Sequence, residues 1–277
     1  MKFLYWNLNR KPIGHLVAAL AHEHNLDVII LSECNIAFTD FLIRLNKPVK
    51  RKYGFPDDPK GDPVIITRFP RESLQRKRDS RGVSIRRLTP PIGPDILITA
   101  VHIPSKLYHR DIDQAMLSTR LPHIIEDEEK KVGHRRTLVV GDFNMNPFEP
   151  GVAGSEGLHA VMARNLAERG SRTVGGEERC FLYNPMWNHF GDYPSGPPGT
   201  YFYDASASVN YYWNMFEQVM LRPDLLAFFR DDSLQILTWA GSTSLLNPLG
   251  RPDPKVASDH LPIMFDLELH KGVANVP

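Results

Sequence analysis

A mixed α/β domain, with strands paired into two sheets and helices outside them, is the fold class that this 277-residue sequence predicts. Three observations predict it. Hydrophobic periodicity alternates between strand-like and helix-like segments through the N-terminal part of the chain. The remainder is dominated by short apolar, strand-like runs separated by Gly, Pro and Asn. No repeat, low-complexity tract or linker interrupts residues 1–277, so one domain is expected.

The elements follow in order. MKFLYWN reads as a strand. IGHLVAALAHEHN carries Leu16, Ala19 and Leu20 at helical spacing, DVIILSE is again a strand, and FTDFLIRLN is a short helix. PVIITRF, RGVSIRRL and DILITAVH are strands. A helix is expected from Asp111 to Lys131, kinked or restarted at Pro122, because an internal proline removes a backbone donor. RTLVVGD is a strand, LHAVMARNLAERG is read as a helix, and a region rich in Pro, Gly and aromatic residues follows. MFEQVML, SLQILTW and HLPIMFDLEL close the chain as strands.

Bulk properties exclude several classes. Apolar content of 42% and charged content of 23% suit a soluble globular chain. No apolar run approaches the ~20 residues that cross a bilayer. MKFLYWNLN is no signal peptide, and Cys34 and Cys180 show neither metal nor redox spacing, so a cytoplasmic, reducing location is expected. The net charge of +1 conceals an asymmetry: residues 44–87 hold fourteen Lys/Arg against five acids. Such a cluster attracts phosphates. It is also what an edge strand carries to deter aggregation. The phosphate reading is preferred.

The chemistry lies at strand ends. Asn7 follows FLYW, Glu33 follows DVIILS, and His102 follows DILITAV. Asp142 and Asn144 follow TLVVG, Glu217 heads QVML, and Asp259 and His260 precede LPIMF. One Asx-rich loop after a strand is commonplace, since Asn and Asp bond their own backbone. Six strands that each present an amide, carboxylate or imidazole are what a hydrolytic metal site needs. Carboxylates bind a hard cation, histidine handles a proton or a phosphate oxygen near neutral pH, and amides orient a phosphate.

Taken together, YWN, LSE, VHIPS, GDFNMNP and SDHLP, in this order, resemble the endonuclease/exonuclease/phosphatase family from Asn7 to about Leu269. The resemblance implies a four-layer α/β/β/α sandwich of two packed mixed β-sheets with outer helices, its site at one edge. It implies a Mg²⁺ or Mn²⁺ cofactor held by Glu33, with Asn7 beside it and Asp259 as a second metal-side carboxylate. Asp142 would orient or deprotonate the attacking water, and Asn144 would hold a phosphate oxygen. His260 would contact the scissile phosphate, and His102 would stabilise developing negative charge. Such neutralisation is what in-line attack on an anionic diester requires. The sequence departs from the family at one place: Glu217 stands where an aspartate usually orients the catalytic histidine. A second acid, partnering a histidine in the secreted nucleases, has Asp79 in RDSRGVS as its candidate.

Other features carry less. The histidines of HEH at 22–24 do not share a helix face, and His15, His109, His123, His134 and His159 are read as surface groups. Lys106, after HIPS, is a candidate for touching substrate phosphate. Twelve aromatic residues lie between 181 and 216. They are read mainly as a loop packed by its own side chains, with Trp187 or Trp213 near substrate. The expected function is a metal-dependent phosphodiesterase acting on nucleic acid, with no membrane partner. The alternatives are a phosphoesterase for a small or lipid-derived phosphate and a catalytically silent phosphate-binding module.

Overall fold

The computed structural model describes all residues except 48–49, 51, 57–60, 106–110, 193–195, 207 and 271–277; for 111–117 it describes the backbone only. The first sheet contains β1 (Lys2–Asn7), β2 (Val28–Ser32), β3 (Val64–Thr67), β15 (Gln235–Ile236) and β18 (Ile263–Asp266). The second contains β4 (Leu74–Ser80), β5 (Val83–Leu88), β6 (Ile96–His102), β7 (Thr137–Asp142), β8 (Ala160–Val161), β11 (Leu182–Tyr183) and β14 (Glu217–Leu221). Their strand orders are β15-β18-β1-β2-β3 and β4-β5-β6-β7-β14-β11-β8. Both sheets are mixed: β1 runs parallel to β2, and β6 to β7, amid antiparallel neighbours. Short hairpins pair β9 (Ser171–Val174) with β10 (Glu177–Cys180), β12 (Tyr201–Phe202) with β13 (Trp213–Asn214), and β16 (Trp239–Ala240) with β17 (Thr243–Ser244).

Period-two alternation builds the layers. Phe3, Tyr5, Val28, Ile30, Ile263 and Phe265 turn inward and pack against Ile96, Ile98, Leu138, Val140, Val219 and Leu221 of the other sheet. Phe3 and Phe265, cross-strand partners, stack with ring centroids 5.1 Å apart. The alternate residues of the first sheet, Leu4, Trp6, Ile29 and Leu31, receive α1 (Gly14–Glu23) and α2 (Phe38–Asn46) through Leu16, Leu20, Phe41 and Leu45. Those of the second, Val83, Val101, Val139 and Met220, receive α3 (Asp111–Val132) through Leu121 and Ile125. The result is the four-layer sandwich. Central strands are covered on both faces, which is why they read as continuous apolar runs.

Three local expectations are corrected. LHAVMARNLAERG is not a helix. Leu158 and Ala160 are buried, β8 pairs in parallel with β11, and His159 takes a left-handed φ of 53° that breaks helical continuity. Only α5 (Arg164–Ala167) is helical there, after α4 (Pro150–Ala153) upstream. α3 does not restart at Pro122 but runs on through it, with Leu121 and Ile125 beside it buried against the sheet. SLQILTW yields two short pairs rather than one strand, β15 and β16, pairing with β18 and β17. The sequence also concealed β4, an exposed, polar edge strand.

Candidate active site

The inward rows of the sandwich end in polar residues. Phe3, Tyr5 and Asn7 form one row, and Ile96, Ile98, Ala100 and His102 another. Leu138 and Val140 lead to Asp142, and Leu221 and Val219 lead to Glu217. Register aligns them: His102 pairs with Asp142, and Asp142 with Glu217, across three neighbouring strands. On the facing sheet Asn7 pairs with Ser32, so Glu33 follows at the same end. The chemistry thus occupies one edge of the apolar layer. Gly141 makes this close assembly possible, because a Cβ there would collide with the Val101 carbonyl oxygen of β6.

Asp142 is buried at the centre. Asn7 Nδ2 donates to its Oδ2 at 2.9 Å, and the Asn144 backbone N–H donates to its Oδ1 at 2.8 Å. Oδ2 lies 4.0 Å from His102 Nε2 and 3.9 Å from His260 Nδ1. Asn144, at φ 48°, turns the chain and donates through Nδ2 to the Ile103 carbonyl at 2.8 Å. Asn146 belongs to the turn. Its amide donates to Asn214 Oδ1 and accepts the Met215 N–H.

Each histidine is anchored through Nδ1 by a carboxylate, leaving Nε2 toward the other acids. His260 Nδ1 meets Glu217 Oε1 at 2.6 Å, and its Nε2 lies 3.9 Å from Asp259 Oδ1. Burial alone pushes the His260 imidazole down, but the Glu217, Asp142 and Asp259 carboxylates outweigh it and raise its pKa to about 10. His102 Nδ1 meets Asp62 Oδ2 at 2.6 Å, and its Nε2 lies 3.6 Å from Glu33 Oε1. Burial again lowers, while the Asp62 hydrogen bond and the charges of Asp142, Asp62 and Glu33 raise its pKa to about 9. The surrounding carboxylates thus favour the protonated form of both rings.

The longer side chain of Glu217 does reach the histidine. A neighbouring segment holds both: the Thr200 carbonyl accepts the Leu261 N–H at 2.8 Å, and its Oγ1 accepts the N–H groups of Phe216 and Glu217 at 3.0 and 3.2 Å. Trp6 Nε1 donates to the His260 carbonyl at 2.8 Å. Asp259 is joined to Asn7 through Ser258, whose hydroxyl donates to the Asn7 carbonyl at 2.7 Å and lies 3.4 Å from Asp259 Oδ1.

Among the described residues one cluster of acids and histidine could hold a cation, and the residues that the resemblance assigns to the metal are the other candidate. Asp142, Glu217 and His260 offer ligand atoms within 4.8 Å of one another. That set is already spent internally, since His260 Nδ1 is bonded to Glu217, and its nitrogen donor suits a hard cation poorly. Glu33, Asp259 and Asn7 Oδ1, which accepts the Asn9 N–H at 3.0 Å, are oxygen donors. Glu33 is half-buried and ion-paired with Arg10 Nε at 3.2 Å, a contact that a bound cation would replace. The donor chemistry fits Mg²⁺ or Mn²⁺.

Asp62 was missed in the sequence, and Asp79 is not the second acid. Asp79 instead binds the buried Arg86 at 2.6 and 3.2 Å and Arg76 at 2.7 Å. The signal for Asp62 is its place just before β3: that strand runs antiparallel to β2, so its start lies beside the Glu33 end of β2. Asp62 Oδ1 accepts the Glu33 N–H at 3.2 Å. Lys106 lies outside the described residues. Trp187 packs near Phe148 and Trp213 meets Phe202 edge-on, and among the described residues neither ring stacks on a histidine of the site. Tyr201 does, with its ring centroid 4.6 Å from that of His260. In the basic stretch, Arg68, Arg76, Arg86 and Arg87 pair with Asp27, Asp79 or Asp95, and β4 is a sheet edge, which the edge-protection reading explains. Among the described residues no helix is long and apolar enough to cross a membrane.

The model of the Endonuclease/Exonuclease/phosphatase family matches residues 4–209. No curated protein sequence matches the chain significantly. Among solved structures, the 3′ phosphatase NExo from Neisseria, bound to product DNA hairpin, is similar at 14% identity and TM-score 0.55, over 96% of this chain and 99% of that one. TDP2 from D. rerio, complexed with single strand DNA product, is similar at 16% identity and TM-score 0.55, over 96% and 97%. An AP endonuclease from Archaeoglobus fulgidus is similar at 14% identity and TM-score 0.53, over 97% and 99%. At these identities the likeness establishes the fold.

Proposed function

Because the chain belongs to the endonuclease/exonuclease/phosphatase family, we propose that this phosphoesterase is a divalent-metal-dependent phosphodiesterase acting on nucleic acid. The observation that carries the reading is the buried carboxylate of Asp142, held by Asn7 and Asn144 and lying 4.0 and 3.9 Å from two carboxylate-anchored histidines. Hydrolysis proceeds by direct water attack. Asp142 has its carboxylate oriented by two N–H donors and takes the proton of the attacking water. His260, fixed through Nδ1 by Glu217, presents Nε2–H to a phosphoryl oxygen; His102, fixed by Asp62, presents a second donor to the developing charge. Glu33, with Asn7 and Asp259, would hold Mg²⁺ or Mn²⁺, which when bound supplies Lewis-acid neutralisation of the phosphoryl oxygens.

Two neighbouring folds captured with DNA products support a nucleic-acid substrate. The same reading takes residues 1–277 as one domain in a reducing cytoplasm, consistent with the free thiols of Cys34 and Cys180. The test is hydrolysis of bis-p-nitrophenyl phosphate beside p-nitrophenyl phosphate, with Mg²⁺, Mn²⁺ or chelator, for the wild type and Asp142→Ala. Metal-dependent cleavage of the diester, lost in the variant, is expected, and labelled DNA and RNA strands follow. Cleavage of the monoester alone would turn the assignment to a small-molecule phosphatase. Silence on both substrates would favour a binding module.

A further inference from the structure

The strand β12 passes directly beside His260. Tyr201 and His260 form an isolated antiparallel bridge, and their rings are inclined at 37°. Successive strand residues point to opposite faces. Phe202 accordingly turns away, meeting Trp213 edge-on at 5.4 Å and lying under the Arg251 guanidinium at 3.9 Å. Tyr203 returns to the face of Tyr201: their rings are nearly parallel, 19° apart in inclination, with centroids separated by 6.4 Å. Phe216 stacks on Tyr201 at 5.2 Å and 23° and backs it.

The histidine, Tyr201 and Tyr203 thus form a line of rings leading out of the site, and its outer member is 41% exposed. The backbone presents that end deliberately. Tyr203 N–H donates to the Tyr212 carbonyl at 2.8 Å, and Tyr212 is held at φ 60° with half its surface in solvent. Left-handed backbone at a bulky residue costs ~1–3 kcal/mol and concentrates at ligand sites. Leaving Tyr203 41% exposed forfeits burial that the core could have supplied.

We propose that Tyr203, continuing the Tyr201 ring away from His260, is a stacking platform for a base of single-stranded nucleic acid next to the scissile phosphate. This rests on the phosphodiesterase reading of the site and narrows its substrate. A flat aromatic face recognises the π-face of any base, so stacking gives affinity without sequence preference. That face is open only when the base is unpaired and splayed, because in a duplex its stacked neighbours cover it. Single strands and frayed ends therefore gain from Tyr203, and intact duplex does not.

The test uses fluorescence anisotropy in chelator with three labelled probes: a 12-residue oligodeoxyadenylate, an abasic oligomer of equal length, and a 12-base-pair duplex. Tyr203→Ala is expected to weaken the oligodeoxyadenylate roughly 5- to 100-fold. Binding of the abasic oligomer and duplex should stay within about twofold, and Tyr203→Trp should restore the loss. Thermal melts of both variants in chelator should match the wild type, which separates lost stacking from lost folding. Equal losses on all three probes, no loss on the oligodeoxyadenylate, or no binding of it by the wild type would each overturn the platform. Failure of the wild type to cleave the diester is a different result: it removes the phosphodiesterase reading itself, whatever Tyr203 does to binding.

Discussion

Glu217 is fully buried at the head of β14, and its carboxylate is bound to His260 Nδ1 at 2.6 Å. Removing it leaves an imidazole whose burial favours the neutral form. In Glu217→Ala the His260 pKa should fall from about 10 by roughly one unit or more. The kcat should drop on the order of 10²- to 10⁴-fold. Ring-proton NMR in chelator and diester kinetics check both; an unmoved His260 titration would refute the anchoring role. Asp62 does the same for His102, whose pKa is raised to about 9. A raised folded-state pKa stabilises the fold fully below the unfolded value of about 6.5, and that contribution fades as pH rises through 9. Asp62→Asn should therefore destabilise the metal-free protein more at pH 6 than at pH 10. Urea unfolding at the two pH values measures this, and an equal effect at both would contradict the assignment.

At the scale of elements, β12 and the β6–β7 pair set the tolerances of the site. Thr200 joins the chain around His260 to the start of β14 through one carbonyl and one hydroxyl. Thr200→Val keeps the shape and removes the acceptor. It should cost ~1–3 kcal/mol of stability and about tenfold in kcat, with KM for the diester little changed and Thr200→Ser restoring both. A variant matching wild type in kcat would exclude the positioning role. Gly141→Ala should be far more damaging, because the added methyl meets the Val101 carbonyl inside a closely packed parallel pair. Poor folding or a Tm lowered by 10 °C or so is the expected outcome in a thermal melt. Elements also differ in how far they could be read. FTDFLIRLN became α2 at the bounds expected, since Phe41 and Leu45 fall on one face. LHAVMARNLAERG was misread because its apolar spacing suits a helix, whereas Leu182 and Tyr183 offered a strand partner instead. LQRKRDS was unreadable as a strand, because an exposed edge carries no apolar alternation.

For the whole molecule, the two sheets meet through an apolar layer whose polar end is the candidate site, so residues from both sheets must be ordered together. A cation held there binds the folded chain alone and should raise its stability by mass action. Adding Mg²⁺ or Mn²⁺ at 100 times its Kd is expected to stabilise by ~2.7 kcal/mol. Glu33→Gln should abolish most of the Tm increase while Tyr203→Ala keeps it. An increase retained in Glu33→Gln would move the cation to other donors.

The mixed class, the central strands and the helices α1 to α3 in their order, and the polar residues closing each inward row were determined by the sequence. Alternation with a period of two places Asn7 on the face of Phe3 and Tyr5, and Asp142 on the face of Leu138 and Val140, whatever the sheets do. Tertiary structure alone decided who meets whom. Asn7 bonds Asp142 across 135 residues, His102 takes Asp62 rather than Asp79, and Tyr201 rather than Trp187 or Trp213 lies on His260. Such partnerships depend on strand order, on the antiparallel sense of β3, and on the sheets closing face to face. These are products of long-range burial, and no local pattern in the chain encodes the distance between two strand ends until that burial has occurred.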